Sequence, residues 1–333
     1  MRVLSWPVTI IFYFHLLGCL NSIGFCSENS LEGSSYQRTI AIGDIQANEK
    51  VLTEILIQAN VMTPDKHLLP NIHVVFLGDL IGDGPNSPEV IKLIMKLKSE
   101  SHNLNSKITI IAGNHEINLL LNRFNYISKE DRIHWAHWLD LNDDWKESIF
   151  NALRIRTHTP GPIEILRSFY LSLVPMAKVG KVFFVHSGIS QRMIDSNLPE
   201  MTRNFKNKIK VVLNERASIG QTDWLFGPSG PTLTSETADP HLAEFILDSP
   251  ISTNSMEAFL NQEQVAHVVT GHWVSHDGIK AHSIADSKII HIDTGIGKDK
   301  GLASYLEITP SGLLIAHQWK SKNLKSLCQH QLN

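Results

Sequence analysis

The stretch Ile108-Thr109-Ile110-Ile111-Ala112-Gly113-Asn114-His115-Glu116 decides the fold. A run of apolar and β-branched residues stops abruptly at a glycine, and three polar side chains follow at once. A nearly continuous apolar strand of this kind, rather than an alternating one, belongs to a sheet covered on both faces. The same grammar recurs five times. Thr39 to Gly43 ends at Asp44, His73 to Gly78 at Asp79, and Lys181 to Val185 at His186. His267 to Gly271 ends at His272, and Ile289 to Ile292 at Asp293. Helical patterns stand between the runs. Asn48 to Asn60 carries Val51, Leu52, Ile55 and Leu56 at helical spacing. Ser87 reads as an N-cap with Pro88 at the first helical position, ahead of Val90, Ile91, Ile94 and Leu97. Ala303 to Ile308 and Leu313 to Trp319 flank the turn Pro310-Ser311-Gly312 and read as closing strands. Strands alternating with helices define an α/β class with covered sheets.

Two long segments interrupt this pattern. Residues 117–170 are helical, polar and aromatic and read as a helical insertion, with His134, Trp135, His137, Trp138 and Trp145. The spacing of those His and Trp residues favours a packed amphipathic face over a substrate cleft. Residues 200–260 form a second insertion, with a Gly/Pro-rich loop from Gly227 to Pro231. The folded domain is expected over residues 38–320.

Of 333 residues, 42% are hydrophobic and 19% charged, an ordinary globular composition with enough apolar material for one large core. A net charge of −3 gives no electrostatic case for nucleic acid or an anionic membrane. Arg2 followed by the apolar run Val8 to Leu20 is too short for a comfortable membrane span and suits a signal segment over residues 1–26. Leu16-Leu17-Gly18-Cys19 also resembles a lipoprotein box, which would end the signal at Cys19 and make a lipid anchor there the chain's membrane attachment. The expected destination is outside the cytoplasm, periplasmic or secreted. Cys19, Cys26 and Cys328 are the three cysteines and supply no disulfide framework.

In α/β sheets, ligands bind beyond the carboxyl ends of the strands. The six runs deliver Asp44, Asp79, Asn114, His186, His272 and Asp293 to such positions. Carboxylate and amide oxygens suit hard divalent ions, and imidazole suits zinc, manganese or iron. A mixed Asp/Asn/His set therefore fits a pair of divalent ions. Two ions about 3.5–4 Å apart can hold a hydroxide between them for in-line displacement at phosphorus.

Gly43-Asp44-Ile45-Gln46, Gly78-Asp79, Gly113-Asn114-His115-Glu116, His186-Ser187-Gly188 and Gly271-His272 stand in the order of the calcineurin-like metallophosphoesterase motifs. The resemblance covers about residues 38–310. It implies a four-layer α/β/β/α sandwich with helical insertions and two divalent metal ions, manganese foremost, with iron or zinc as alternatives. By the same resemblance, Asp79 would bridge both ions. Asp44, helped by Gln46, would bind the first, and Asn114, His186 and His272 the second. His115 would protonate the leaving oxygen or steady the phosphate, and Glu116 would brace the His115 loop. Ser172 to Gly188 and His291-Ile292-Asp293-Thr294-Gly295 resemble the Shewanella-like protein phosphatases. Gly78 to Val90 and Gly271-His272-Trp273 resemble the symmetrical dinucleoside tetraphosphatases.

The sequence departs from those relatives in three places. Most carry His where Gln46 stands, and many carry a phosphate-gripping Arg where Asp83 stands. A second such Arg is missing from Trp224-Leu225-Phe226-Gly227, leaving Arg123, Arg154, Arg156 and Arg192 as candidates. Asp83 is a candidate to orient His115, in place of the Asp that the protein phosphatases carry where Gly82 stands. Asp293 is open to two readings, support for a ligand histidine or direct metal contact. The expected function is hydrolysis of a phosphorylated protein or a small phosphoester. The alternatives are a dinucleoside polyphosphate hydrolase, on Gln46, Pro85, Ser87 and Trp273, and a non-catalytic binding module that keeps the fold.

Overall fold

The computed structural model describes residues 36–140, 149, 161–215, 223–234, 251–275, 277–284, 287–296, 301–321 and 330–331. The signal segment, Cys19, Cys26, Cys328, Trp145, Arg154 and Arg156 lie outside the described residues. Strands β1 (Arg38–Ile42), β2 (Ile72–Phe76), β3 (Lys107–Ile111) and β4 (Leu173–Val174) run parallel in one sheet. That sheet is completed on its other side by β10 (Ala303–Ile308), β11 (Leu314–Trp319) and β12 (His330–Gln331), in the order β12-β11-β10-β1-β2-β3-β4. The second sheet has the order β5-β6-β7-β9-β8. Its strands are β5 (Met176–Val179), β6 (Val182–Val185), β7 (His267–Thr270), β8 (Lys280–Ile284) and β9 (Ser287–His291). The chain crosses between sheets at the single residue Pro175, which cannot donate to a ladder and so separates β4 from β5.

The alternation of side chains explains why both faces are apolar. Ala41, Val75, Ile111, Val182, Phe184, Val269 and Ile290 point into a common cluster between the two sheets. Their strand neighbours Ile40, Ile42, Val74, Phe76, Ile108 and Ile110 point outward. There they join Leu52, Ile55 and Leu56 of α1 (Glu49–Gln58) and Val90, Ile91 and Ile94 of α2 (Ser87–Ser101). On the far side, Phe183 of β6 meets Phe259 of a helix at Thr253–Glu263 edge-on, with ring centroids 5.3 Å apart. Helices, two sheets and helices thus form the four layers.

Between β3 and β4 lie α3 (Asn114–Leu120), α4 (Lys129–Leu139) and α5 (Pro162–Ser172). Trp135 and Trp138 are buried, with ring centroids 5.6 Å apart, so this face of α4 is packing surface. Between β6 and β7 lie α6 (Gln191–Ile194), α7 (Leu198–Glu215) and, as α8, the Thr253–Glu263 helix, the last two overlapping the insertion expected over residues 200–260. Among the described residues no helix is long and apolar enough to cross a membrane.

One capping expectation is corrected. Asn86, not Ser87, caps α2, its side chain accepting from the Glu89 N–H at 3.3 Å. Ser87 is engaged elsewhere. Its hydroxyl donates to Asp131 Oδ2 at 2.7 Å and accepts the Gly82 N–H at 3.0 Å. The serine thus ties α4 to the loop after β2.

Buried His73 on β2 lies with Nε2 2.9 Å from Thr109 Oγ1 on β3. Burial, with Lys107 and Lys98 behind it, holds its pKa down to about 3 from an ordinary 6.5. As pH falls below about 6.5 the unfolded chain takes up this proton first, so its contribution to stability is complete above 6.5 and drains away toward pH 3. Thermal unfolding of wild type and His73→Gln at pH 7.5 and 4.5 should show the wild type losing about 2–3 kcal/mol more on acidification. Equal losses in the two proteins would refute the assignment.

Candidate metal centre

The carboxyl ends of β1, β2 and β3 meet those of β6, β7 and β9 at one end of the sandwich, and the loops there are zipped together by backbone bonds. The Ile45 and Gln46 N–H groups donate to the Asp79 carbonyl at 3.1 and 2.8 Å, and Ala47 N–H to Leu80 O at 2.8 Å. The Gly271 N–H reaches the His186 carbonyl at 2.8 Å. Several side-chain-bearing residues here hold left-handed backbone: Gln46 (φ 47°), Asp79 (46°), Asp83 (55°) and His272 (64°). Such backbone is costly away from glycine and concentrates at functional sites. Two glycines let the loops close up. A Cβ on Gly113 would stand 2.2 Å from Asp79 Oδ1, and one on Gly271 would stand 2.3 Å from Asp44 Oδ1.

Glu116 is wholly buried and organises two of these loops. Its Oε2 accepts the N–H groups of Asp79 (2.9 Å) and Gly113 (2.8 Å), and its Oε1 those of Leu80 (2.9 Å) and Ile81 (3.3 Å). It therefore braces the Asp79 turn as well as the His115 loop.

The imidazoles are oriented by carbonyl oxygens. His186 Nδ1 lies 2.7 Å from Leu77 O, which can only accept, so Nδ1 carries a proton and Nε2 is turned toward the site. That Nε2 is 3.0 Å from Asn114 Oδ1 and 3.4 Å from Asp79 Oδ1. The His272 ring packs edge-on to His186 at 5.1 Å, and its backbone N–H donates to both Asp44 oxygens at 3.0 and 3.2 Å. One ligand atom each from Asp79, His186 and His272 lie within 4.8 Å of one another.

His115 donates its backbone N–H to Asp79 Oδ1 at 2.9 Å and stacks on Tyr126 at 4.3 Å. Its Nδ1 donates to the Ile81 carbonyl at 2.9 Å, leaving Nε2 facing Asp79 Oδ2 at 3.5 Å. This bears on Asp83. Its carboxylate comes no nearer than 4.0 Å to His115 Nε2, so the Ile81 carbonyl, not Asp83, orients the ring. The left-handed backbone at Asp83 could not be read from sequence.

Among the candidate arginines, Arg123 donates to Asn118 at 3.4 Å. Arg192 lies over Trp224, 4.7 Å from the ring centroid, which puts a cation at the Trp224–Phe226 turn where the sequence lacks one. Asp293, open to two readings in the sequence, comes against the Asp44 carboxylate.

The electrostatics fit cations. Burial, then Asp293 and Asp79, raise Asp44 well above the usual carboxylate range. Burial raises Asp293 to about 6 against the opposing Gly295 N–H. Burial would raise Asp79 as well, but His115 and His186 outweigh it and hold its carboxyl low. Burial and the neighbouring His186 hold His272 down to about 3, leaving it neutral, the form that ligates metals. Gln46 Oε1 and Asp293 Oδ2 are buried without any donor. Crowded carboxylates, the neutral His272 imidazole and orphaned oxygens together make a donor set for divalent cations.

A metal-ligand set gathered from the strand ends of two facing sheets defines a metal-site α/β sandwich. The chain belongs to the calcineurin-like phosphoesterase family, whose model matches residues 37–276. It is 27% identical over 179 residues to Shewanella-like protein phosphatase 1 of Plasmodium berghei (strain Anka), a match covering 53% of this chain and 45% of that protein. It is 25% identical over 312 residues to Shewanella-like protein phosphatase 2 of Arabidopsis thaliana, covering 82% and 75%. To the symmetrical bis(5'-nucleosyl)-tetraphosphatase of Wigglesworthia glossinidia brevipalpis it is 30% identical over 147 residues, 43% of each chain. The chain thus spans under half the length of the first relative and three quarters of the second. The crystal structure of the cold-active protein-tyrosine phosphatase of a psychrophile Shewanella sp. superposes with a TM-score of 0.68 at 17% identity, over 90% of this chain and 81% of that one. At that identity the likeness is one of fold.

Proposed function

We propose that this chain is a metal-dependent phosphoester hydrolase acting on phosphorylated protein. The observation that carries the reading is the convergence of Asp79, His186 and His272 within 4.8 Å, with His115 Nε2 3.5 Å from Asp79. Bound divalent ions, manganese in the first instance, would supply Lewis acidity and an activated water for attack on phosphorus. Asp44, Gln46 and Asp79 would hold one ion, and Asp79, Asn114, His186 and His272 the other. His115, its Nδ1 proton committed to Ile81, presents Nε2 to the leaving oxygen as the proton donor.

The protein-phosphatase reading is supported by the Arabidopsis relative, which matches over most of this chain. The dinucleoside reading drew on Trp273, but the Trp273 indole N–H donates to the Ser187 carbonyl at 2.8 Å and so locks the His186 loop. Export behind residues 1–26 belongs to the same proposal, supported by the apolar run Val8 to Leu20.

Residues 27–333 should hydrolyse an aryl phosphate with manganese and lose that turnover on chelation. Phosphopeptides should turn over faster than dinucleoside tetraphosphates. His115→Asn should lower kcat by about 10²–10⁴ with little change in bound metal, as expected of a positioned proton donor. Stoichiometric metal without turnover on any of these substrates would favour the binding module instead.

A further inference from the structure

The proposed reaction leaves one buried carboxylate without work. Asp293 follows β9 in the second sheet and is 1% exposed. Its Oδ1 accepts the Gly295 N–H at 2.8 Å, whereas its Oδ2 has no donor. The carboxylate meets that of Asp44 within hydrogen-bonding reach, and Asp79 acts electrostatically on both. Three buried carboxylates therefore share one place; histidines act on Asp79 and His186 on Asp293, but no cationic side chain is among the groups acting most strongly on Asp44. Two residues beyond Asp44, Gln46 Oε1 is a second buried oxygen with no donor.

Buried acceptors are normally paired, and like charges out of water repel strongly unless a cation lies between them. His186, Asn114 and His272 answer this need on the side of the second ion. On the Asp44 side the described donors are backbone N–H groups, of His272 to both Asp44 oxygens and of Gly295 to Asp293 Oδ1, which add no positive charge. A neutral amide at position 46 contributes an oxygen but no charge. Oxygen-rich sets with two or three carboxylates are what hard divalent ions take.

We infer that Asp293 is a ligand of the first metal ion, supplying from the second sheet the charge and donor strength that Gln46 lacks. The inference rests on the metal-dependent reading above. It makes the first ion, like the second, a bridge between the two sheets. The competing role is a positioning one, in which Asp293 only holds the Asp44 loop.

The test is manganese binding to the metal-depleted full chain, by calorimetry and by the paramagnetic signal of the free ion, without reference to turnover. Wild type should bind two ions. Asp293→Asn, nearly identical in shape, should bind one of them at least tenfold more weakly. Asp293→Asn should gain less thermal stability from added manganese than wild type does. Gln46→His placed in the Asp293→Asn protein should restore the lost affinity. Two-ion binding unaltered by Asp293→Asn overturns this inference alone. Weakened binding that Gln46→His does not restore assigns Asp293 the positioning role and also overturns it. A wild-type chain that binds no manganese overturns the metal-dependent reading itself, and this inference with it.

Discussion

Asp79→Asn is expected to lower manganese-dependent turnover by a factor on the order of 10³ or more, with a matching fall in bound metal. Loss of a group that only supports a ligand costs about 10–100-fold in metal affinity, and Asp79 is proposed to hold both ions. The change is nearly isosteric. An amide oxygen can still accept the His115 N–H that Asp79 Oδ1 accepts at 2.9 Å, so the loop keeps its shape. What is lost is charge at the point where His115, His186 and His272 all act on one carboxylate. An unchanged circular dichroism spectrum beside low metal content would locate the defect in the site. Full turnover in this variant would remove Asp79 from the chemistry.

Glu116→Ala should be the most destabilising change near the site. It strands four backbone N–H groups, those of Asp79, Leu80, Ile81 and Gly113, around a side chain with no solvent exposure. An unsatisfied buried donor costs about 1–3 kcal/mol. Even with relaxation and some water entry, the total should exceed about 4 kcal/mol, a large part of a typical domain's 5–15 kcal/mol. Urea unfolding of the metal-free protein reads this directly. Glu116→Gln should fall between, since it keeps one carbonyl oxygen and turns a donor toward the remaining N–H groups. A shift below about 1 kcal/mol for the alanine variant would mean that the two loops are held by something else.

The strands that carry the site were legible because burial on both faces leaves an unbroken apolar signature. β1, β2, β3, β6, β7 and β9 all fall on the runs that end at polar residues. β4 and β5 escaped because each is short and they adjoin across Pro175. β8 escaped because Lys280–Ile284 is a polar edge strand with no apolar period. Local rules also misplaced the α2 cap, since Asn86 and Ser87 are equally good capping residues. The choice was made by Asp131, 44 positions away, which takes the serine. The same limit hid the orientation of His115. Its partner is a backbone carbonyl, which carries no residue signature, so the sequence pointed to the nearest carboxylate instead. The pairing of Asp293 with Asp44 joins residues at opposite ends of the chain, and a position at a strand end did not specify which neighbour it would meet.

The division of the site between two sheets also sets an order of assembly on the ribosome. Asp44, Asp79 and Asn114 emerge early, but His186 and His272 follow only as the second sheet is made. β1 itself pairs on one side with β10, whose residues 303–308 follow the residues of both sheets' site strands. A nascent chain therefore holds half a ligand set on a sheet with an open edge, and long-range pairings of this kind form slowly. A complete set of proposed ligands therefore exists only once both sheets have formed, so the metal available where folding completes is the one the site first meets.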